Sequence, residues 1–228
     1  MTTTLSNVFR KWSALEITWL ILANLTILGI SLYWQDSWLG IASAMAGVTS
    51  VILVAKRMIL NYAFGIFQVT TYSWLAYQAS LFGEVQLNLL YFLPMNIIGF
   101  ILWKRMDTPM YEEGTVKAKF LSLRGRIIWT VISIVLIIAY AQFLAFLGGA
   151  HVYLDSTSTV LSVLAMVLMV KAYAEQWVLW IVVNVVSVAM WVMSLQDGIG
   201  DIATLLMWTI FLINSIYGLV SWSKDAQK

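Results

Sequence analysis

The sequence predicts an all-α membrane protein with eight spanning helices, and three observations carry that prediction. First, 61% of the 228 residues are apolar and 11% are charged, against roughly 45–50% and about 25% in soluble domains; mean hydropathy is +0.87. Second, eight apolar runs bounded by charge or turn residues fit the chain, most of them near the roughly 20 residues that cross a bilayer. Third, threading those runs through a bilayer places all 13 Lys and Arg residues on one side, which the positive-inside rule makes cytoplasmic. Eight spans leave no room for a soluble domain of ordinary size. The absence of cysteine and the single histidine exclude disulfides, a cysteine nucleophile and a thiolate or histidine-rich metal centre. The net charge of +2 sits at membrane-flanking positions and gives no reason to expect nucleic acid.

The first run, 17–33, follows Arg10 and Lys11 as a signal peptide would. It is long and ends in Tyr33-Trp34 without a small-residue cleavage site, so it reads as a retained span. The second, 38–55, ends at Lys56-Arg57, and the third, 59–82, gives way around Glu84 to the fourth, 87–103. Pro94 removes a backbone donor from the fourth and predicts a kink. The longest connection, 104–126, holds Lys104, Arg105, Lys117, Lys119, Arg124 and Arg126 among acidic residues and reads as a solvated tether. The fifth run is 127–147, the sixth 159–173 with Lys171 near its end, the seventh 177–195 and the eighth 202–221, followed by Lys224 and Lys228. Connections on the opposite side carry Asp36, Glu84, His151, Asp155, Asp197 and Asp201 and no cation. Both termini are therefore expected on the cytoplasmic side.

Two stretches share a layout. One starts near Asp36-Ser37, reaches Lys56-Arg57 after a short span, and closes on Asn96, Gly99 and Trp103; the other starts near Asp155-Ser156, reaches Lys171, and closes on Asn214, Gly218 and Trp222. The closing motifs match apart from one residue inserted between Asn214 and Gly218. With one span between two three-span units, both copies cross the membrane in the same sense, a parallel repeat. The divisions expected are an extra N-terminal helix at 1–35, a first repeat at 36–103, a loop and linking helix at 104–150, and a second repeat with its tail at 151–228.

Polar side chains inside spans must face protein or a water-filled cavity. At 100° per residue, Trp177, Trp180, Asn184, Ser187 and Trp191 fall within about 80° of one another, and Asn61, Gly65, Gln68 and Tyr72 within about 60°. Asn88, Asn96, Gly99 and Trp103 form a third stripe, and Met207, Asn214, Gly218 and Ser221 a fourth. Transporters place midplane substrate sites at repeat interfaces of this kind; the same amides can also act as interhelical glue worth about 1 kcal/mol each. The deep spans carry no Asp, Glu, Lys, Arg or His, so no buried ionisable group is available for ion coupling, and no Gly-rich phosphate loop of the Walker type occurs. These absences point to a passive facilitator. Without cations the pocket is unsuited to anions, and its tryptophans and amides suit a flat neutral or cationic ring. An embedded enzyme would need an acid, base or metal that the deep spans lack. A non-transporting bundle remains the alternative from another class.

The residues resemble the PnuC-type nicotinamide riboside transporters. The likeness rests on Trp177, Trp180 and Asn184 in span seven and on Asn214, Tyr217 and Gly218 in span eight. First-repeat counterparts support it: Lys56-Arg57 leading to Asn61, Tyr62, Phe64, Gly65 and Gln68, then Asn96, Gly99 and Trp103. Members often have Tyr before the first-repeat glycine, where this chain has Ile98. The resemblance implies a SWEET-like 3+1+3 core with an extra N-terminal helix, a homotrimer, and an inner-membrane location. It also implies inward facilitated diffusion of nicotinamide riboside, trapped by a cytoplasmic kinase for NAD synthesis, with no cofactor. By position, Trp177, Trp180 and Asn184 would hold the ligand from one bundle and Phe64 and Gln68 from the other, with Asn96 and Asn214 closing the ring. Asn88 and Tyr217 complete the candidate set. Thiamine and riboflavin are rival substrates, because aromatic stacking does not distinguish these rings.

Overall fold

A computed structural model describes residues 12–35, 37–78, 85, 87–106, 115–146, 148, 152–196 and 202–227. Among them are eight helical segments: α1 (Ala14–Tyr33), α2 (Trp38–Ala55), α3 (Asn61–Gln78), α4 (Leu87–Met106), α5 (Leu123–Phe146), α6 (Val152–Val170), α7 (Gln176–Gln196) and α8 (Ile202–Ala226). On length and apolarity alone, α1, α2, α4, α5 and α6 qualify as membrane spans. The hydrophobicity of α3 is diluted by Asn61, Gln68, Thr70, Thr71 and Ser73. In α3 the three hydroxyls bond back to carbonyls of the preceding turn, Ser73 to Val69 at 2.6 Å among them, so the helix carries them without stranding a polar group. The peripheral α5 buries only Ser133 and Ala141 and exposes Ile128, Val135 and Ile138; a face this apolar belongs in lipid. The chain is a multi-pass membrane protein.

Four expectations need correction. The fourth span is not a uniform α-helix with a simple kink: Leu87–Phe92 is wound as a π-helix and Leu93–Met106 as an α-helix. Pro94 has no N–H for the Leu90 carbonyl, and the wider turn just before it absorbs the break in the ladder. The sixth span, expected over 159–173, runs Val152–Val170. Its polar first turns are helical because Thr157 donates to Tyr153, Ser158 to Asp155, and Ser156 across to the Ile137 carbonyl of α5 at 2.6 Å. It stops where Ala172 turns left-handed, at φ 59.

The third correction concerns 104–126, part of which is a strap rather than a tether. Val116 donates its N–H to the Arg57 carbonyl at 3.1 Å, Lys119 to the Ala172 carbonyl at 3.0 Å, and Ala174 returns one to Lys119 at 2.9 Å. Val116 and Ala118 are buried, and the Asp225 carboxylate accepts the Ala118 N–H at 2.9 Å. Residues 107–114 lie outside the described residues. The strap thus ties together the α2–α3 and α6–α7 turns, which are themselves copies. Each has a left-handed residue one place after the lysine, Arg57 at φ 58 and Ala172 at φ 59. Each enters its next helix with a buried amide and a ring, Asn61-Tyr62 and Gln176-Trp177.

The fourth correction is to the register of the repeat. Gly99 backs onto the Tyr62 ring and Gly218 onto the Trp177 ring, so closely that a Cβ at either glycine would lie nearer than 3.0 Å to ring atoms. Trp103 and Trp222 then follow at the same spacing and make equivalent contacts. The glycines therefore align without an insertion, which sets Ser215, not Asn214, opposite Asn96. An inserted residue would rotate everything beyond it by about 100° and break both contacts. We expect Gly99→Ala and Gly218→Ala each to cost about 1–3 kcal/mol as overpacking, read as a lowered Tm in detergent; unchanged melting of both would show that the rings yield freely.

Candidate substrate pathway

Helix adjacency defines a closed ring. In order, α2 packs on α3, α3 on α4, α4 on α6, α6 on α7, α7 on α8, and α8 back on α2. The two cross-repeat seams, α4–α6 and α8–α2, are equivalent under the repeat. Among the described residues, helix α5 packs on α6, and α1 packs on α2 and α8 from outside. Among the described residues α3 and α7, which face each other across the ring, share no packed interface. The axis between them is the candidate pathway. Neither helix contains Asp, Glu, Lys, Arg or His, and nor does α2.

The candidate residues are distributed around this ring. Asn184 of α7 is buried and donates to Ser215 of α8 at 2.7 Å, and Ser215 in turn donates to the Phe211 carbonyl. Asn214 donates to the Val51 carbonyl of α2 at 2.9 Å, across the seam, while its buried Oδ1 has no partner among the described residues. Asn96 donates to the Phe92 carbonyl at 2.8 Å and presses its Oδ1 against Gly65 of α3. Asn88 is buried within the π-helical turn. The side chain of half-buried Gln68 lies over Gly47 of α2. Trp177 and Trp180 belong to one cluster with Tyr62, Trp103, Trp222 and Tyr217. Phe64 is not with them: it packs in a second cluster with Val48, Ile52, Met207 and Phe211, on the α1 side. The Tyr217 hydroxyl donates to Glu16 of α1. The side chain of Trp191 lies outside the described residues.

Three buried residues that sequence reasoning left out of the candidate set complete the picture. Asn61 Oδ1, the Tyr62 hydroxyl and both amide atoms of Gln176 have no hydrogen-bond partner among the described residues, and the same holds for Trp177 Nε1. An unpaired buried polar atom costs about 1–3 kcal/mol, and these four residues sit together as the first two positions of α3 and of α7. Asn61 was visible on its helical stripe. Gln176 becomes visible once the turns are superposed, since each amide is the fifth residue after Lys56 or Lys171.

Comparison with known proteins agrees with this architecture. Residues 37–224 match the family model described as nicotinamide mononucleotide transporter. The chain is similar to the nicotinamide riboside transporter PnuC of Neisseria mucosa, 36% identical over 95% of this chain and 84% of that one. It is similar to that of Haemophilus influenzae, 33% identical over 93% and 91%, and to that of Escherichia coli at 28%. Its fold matches the crystal structure of the vitamin B3 transporter PnuC with a TM-score of 0.82 and 34% identity, covering 98% of each chain.

Helix α1 precedes the family-model match and is fastened to the ring at the basic end. Ser13 and Glu16 form a capping box, and Glu16 also takes the Lys56 ammonium at 2.7 Å and the Tyr217 hydroxyl. Lys56 lies over the Trp12 ring, 5.5 Å from its centroid. One carboxylate thus joins α1, the α2–α3 turn and α8. We expect Glu16→Ala to cost about 2 kcal/mol, the scale of hydrogen bonds to a charged group, with a Tm lowered accordingly. Glu16→Gln, which keeps an acceptor, should lose less; equal melting of all three proteins would contradict the clamp.

Proposed function

Because this chain belongs to the nicotinamide mononucleotide transporter family, we propose that it passes nicotinamide riboside across the membrane by facilitated diffusion. What supports this reading is the missing packed interface between α3 and α7 among the described residues, together with the tryptophans and amides these helices carry and their lack of Asp, Glu, Lys, Arg and His. Stacking on Trp177 and Trp180 suits a pyridinium ring, whose positive charge the indole faces favour, while Asn184, Gln68, Asn96 and Asn214 supply bonds for a carboxamide and ribose hydroxyls. Asn88 and Tyr217 stay in the proposed set, whereas Phe64 packs toward α1, away from the tryptophan cluster.

The same lining argues for the riboside over the phosphorylated mononucleotide. A phosphate buried without Lys or Arg loses its hydration and gains no counter-charge. Escape from the pathway is therefore prevented chemically, by a cytoplasmic kinase that adds the phosphate this axis does not admit. The lack of a buried acid or base supports passage without ion coupling. The segregation of cations supports an inner-membrane protein with the basic end and both termini cytoplasmic, and the family resemblance supports a homotrimer. The repeat divides the chain at 1–35, 36–103, 104–150 and 151–228.

In proteoliposomes, riboside uptake should proceed without a proton or sodium gradient; dependence on either would overturn the facilitator reading. Unlabelled riboside should compete, and mononucleotide, thiamine and riboflavin should not; competition by a vitamin would reassign the substrate. Trp180→Ala and Asn184→Ala should weaken riboside binding at least tenfold, measured calorimetrically on folded protein. Wild-type affinity in both would remove them from the site.

A further inference from the structure

At the basic end of the ring four aromatic side chains run from one repeat to the other. Tyr62 of α3 meets Trp103 of α4 edge-on with ring centroids 5.0 Å apart, Trp103 meets Trp222 of α8 at 5.9 Å, and Trp222 meets Trp177 of α7 edge-on at 6.0 Å. Because α3 faces α7 and α4 faces α8 across the ring, this row crosses the pathway. Tyr62, Trp103 and Trp222 are fully buried and Trp177 is 2% exposed, so the row itself is closed to bulk solvent.

Two hydrogen bonds hold the row in place, and each runs between repeats. Trp103 Nε1 donates to the Met169 carbonyl at the end of α6, at 3.2 Å, and Trp222 Nε1 donates to the Val54 carbonyl at the end of α2, at 3.0 Å. Both bonds obey the repeat, since Val54 stands two residues before Lys56 and Met169 two before Lys171. Both acceptors are already satisfied, Val54 by the Arg57 N–H and Met169 by the Ala172 N–H, each at 2.8 Å. Separating the repeats therefore strands only the two indole donors, which keeps the lock weak enough to open.

We infer that Trp103 and Trp222 are the gating residues at the basic end of the pathway, each closing it by an indole N–H donated to the opposite repeat. At the same end of α8 as Trp222, a cleft of about 280 Å³ is lined by Arg57, Tyr217, Val220, Ser221, Lys224 and Asp225. This assignment rests on the transport reading for its purpose but not for its geometry. Two glycines, Gly99 and Gly218, make room for the flanking rings, which places the backbone of the third helix of each repeat directly behind the gate.

The absence of native cysteine permits a direct test. Ser187→Cys on α7 puts a thiol about ten residues, some 15 Å, deeper than the row, and exposed Lys224→Cys reports the basic face itself. A membrane-impermeant maleimide applied at that face should label Cys at 187 slowly in an otherwise wild-type chain. Trp103→Phe or Trp222→Phe keeps a ring and deletes the N–H, and each should speed labelling about fivefold, the weight of one interhelical bond. The two should act alike, and labelling at 224 should not change. Unchanged labelling at 187 in both variants and in the double variant overturns the gate. If the variants do not fold, hydrogen exchange of the two indole N–H groups in the wild-type protein decides instead: one common rate supports a concerted opening, and well-separated rates refute it. Riboside uptake is scored separately. Failed uptake with responsive labelling removes the substrate and keeps the gate, whereas normal uptake with unresponsive labelling does the reverse.

Discussion

Arg57 and Ala172, two left-handed residues, set the geometry on which the basic half of this molecule depends. A non-glycine residue with positive φ is costly by itself, and it persists here because each turn is held from several directions. The strap pairs with Arg57 and Ala172 in succession. Met58 and Tyr173 then bridge to Thr115 and Lys119. The Arg57 side chain reaches the Asp225 carboxylate at 3.4 Å, and Asp225 in turn accepts from the strap at Ala118. On the other side, Glu175 accepts the Leu121 N–H and takes Arg126 at 2.8 Å. A hydrocarbon environment offers such turns no water, so they are confined to the end of the bundle and their groups are paired by protein.

Once both turns are fixed, their following helices are fixed too. Asn61-Tyr62 and Gln176-Trp177 enter the ring at equivalent heights, and the glycines of α4 and α8 accept the two rings. The third helices consequently bring Trp103 and Trp222 to the axis together. A local backbone constraint thus becomes a device that spans both repeats, and the strap is hydrogen-bonded to both turns.

Much of this was legible in the sequence because the bilayer imposes simple rules. Span number followed from a fixed hydrocarbon thickness, and the α2 limits 38–55 match the observed Trp38–Ala55. The strap was not legible: Val116 and Ala118 are two apolar residues in a charged stretch, and their burial depends on a surface made by distant turns. The helical character of 152–158 was hidden because its Asp, Ser and Thr resemble a loop until the hydroxyls find carbonyls. Glu16 stands just ahead of the first apolar run, and its partners Lys56 and Tyr217 are brought to it only by tertiary packing. Stripe geometry picked out amides that are buried, Asn88, Asn96, Asn184 and Asn214, but a stripe reports which face is polar and not which neighbour it meets. Phe64 shares its helix with Gln68 and packs instead toward α1, and Tyr217 spends its hydroxyl on a carboxylate at the rim.

The corrected register separates two kinds of position. Residues that build the frame are alike in both halves: Gly99 with Gly218, Trp103 with Trp222, Tyr62 with Trp177, and Asn61 with Gln176. Several candidate ligand contacts differ between halves. Trp180 falls opposite Gly65, Asn184 opposite Val69, Gln68 opposite Val183, and Asn96 opposite Ser215. A symmetric frame can rock about its own axis and expose either end in turn, which is what alternating access asks of a parallel repeat. A symmetric lining would bind both ends of a molecule equally and orient neither. A ligand with a flat ring at one end and hydroxyls at the other needs unlike walls, aromatic on the α7 side and amide-rich between α3 and α4. Divergence at these positions within a conserved frame is therefore what a pathway for a small, two-ended, uncharged-lining ligand requires, and an interface made only of interhelical glue would have had no reason to lose its symmetry there.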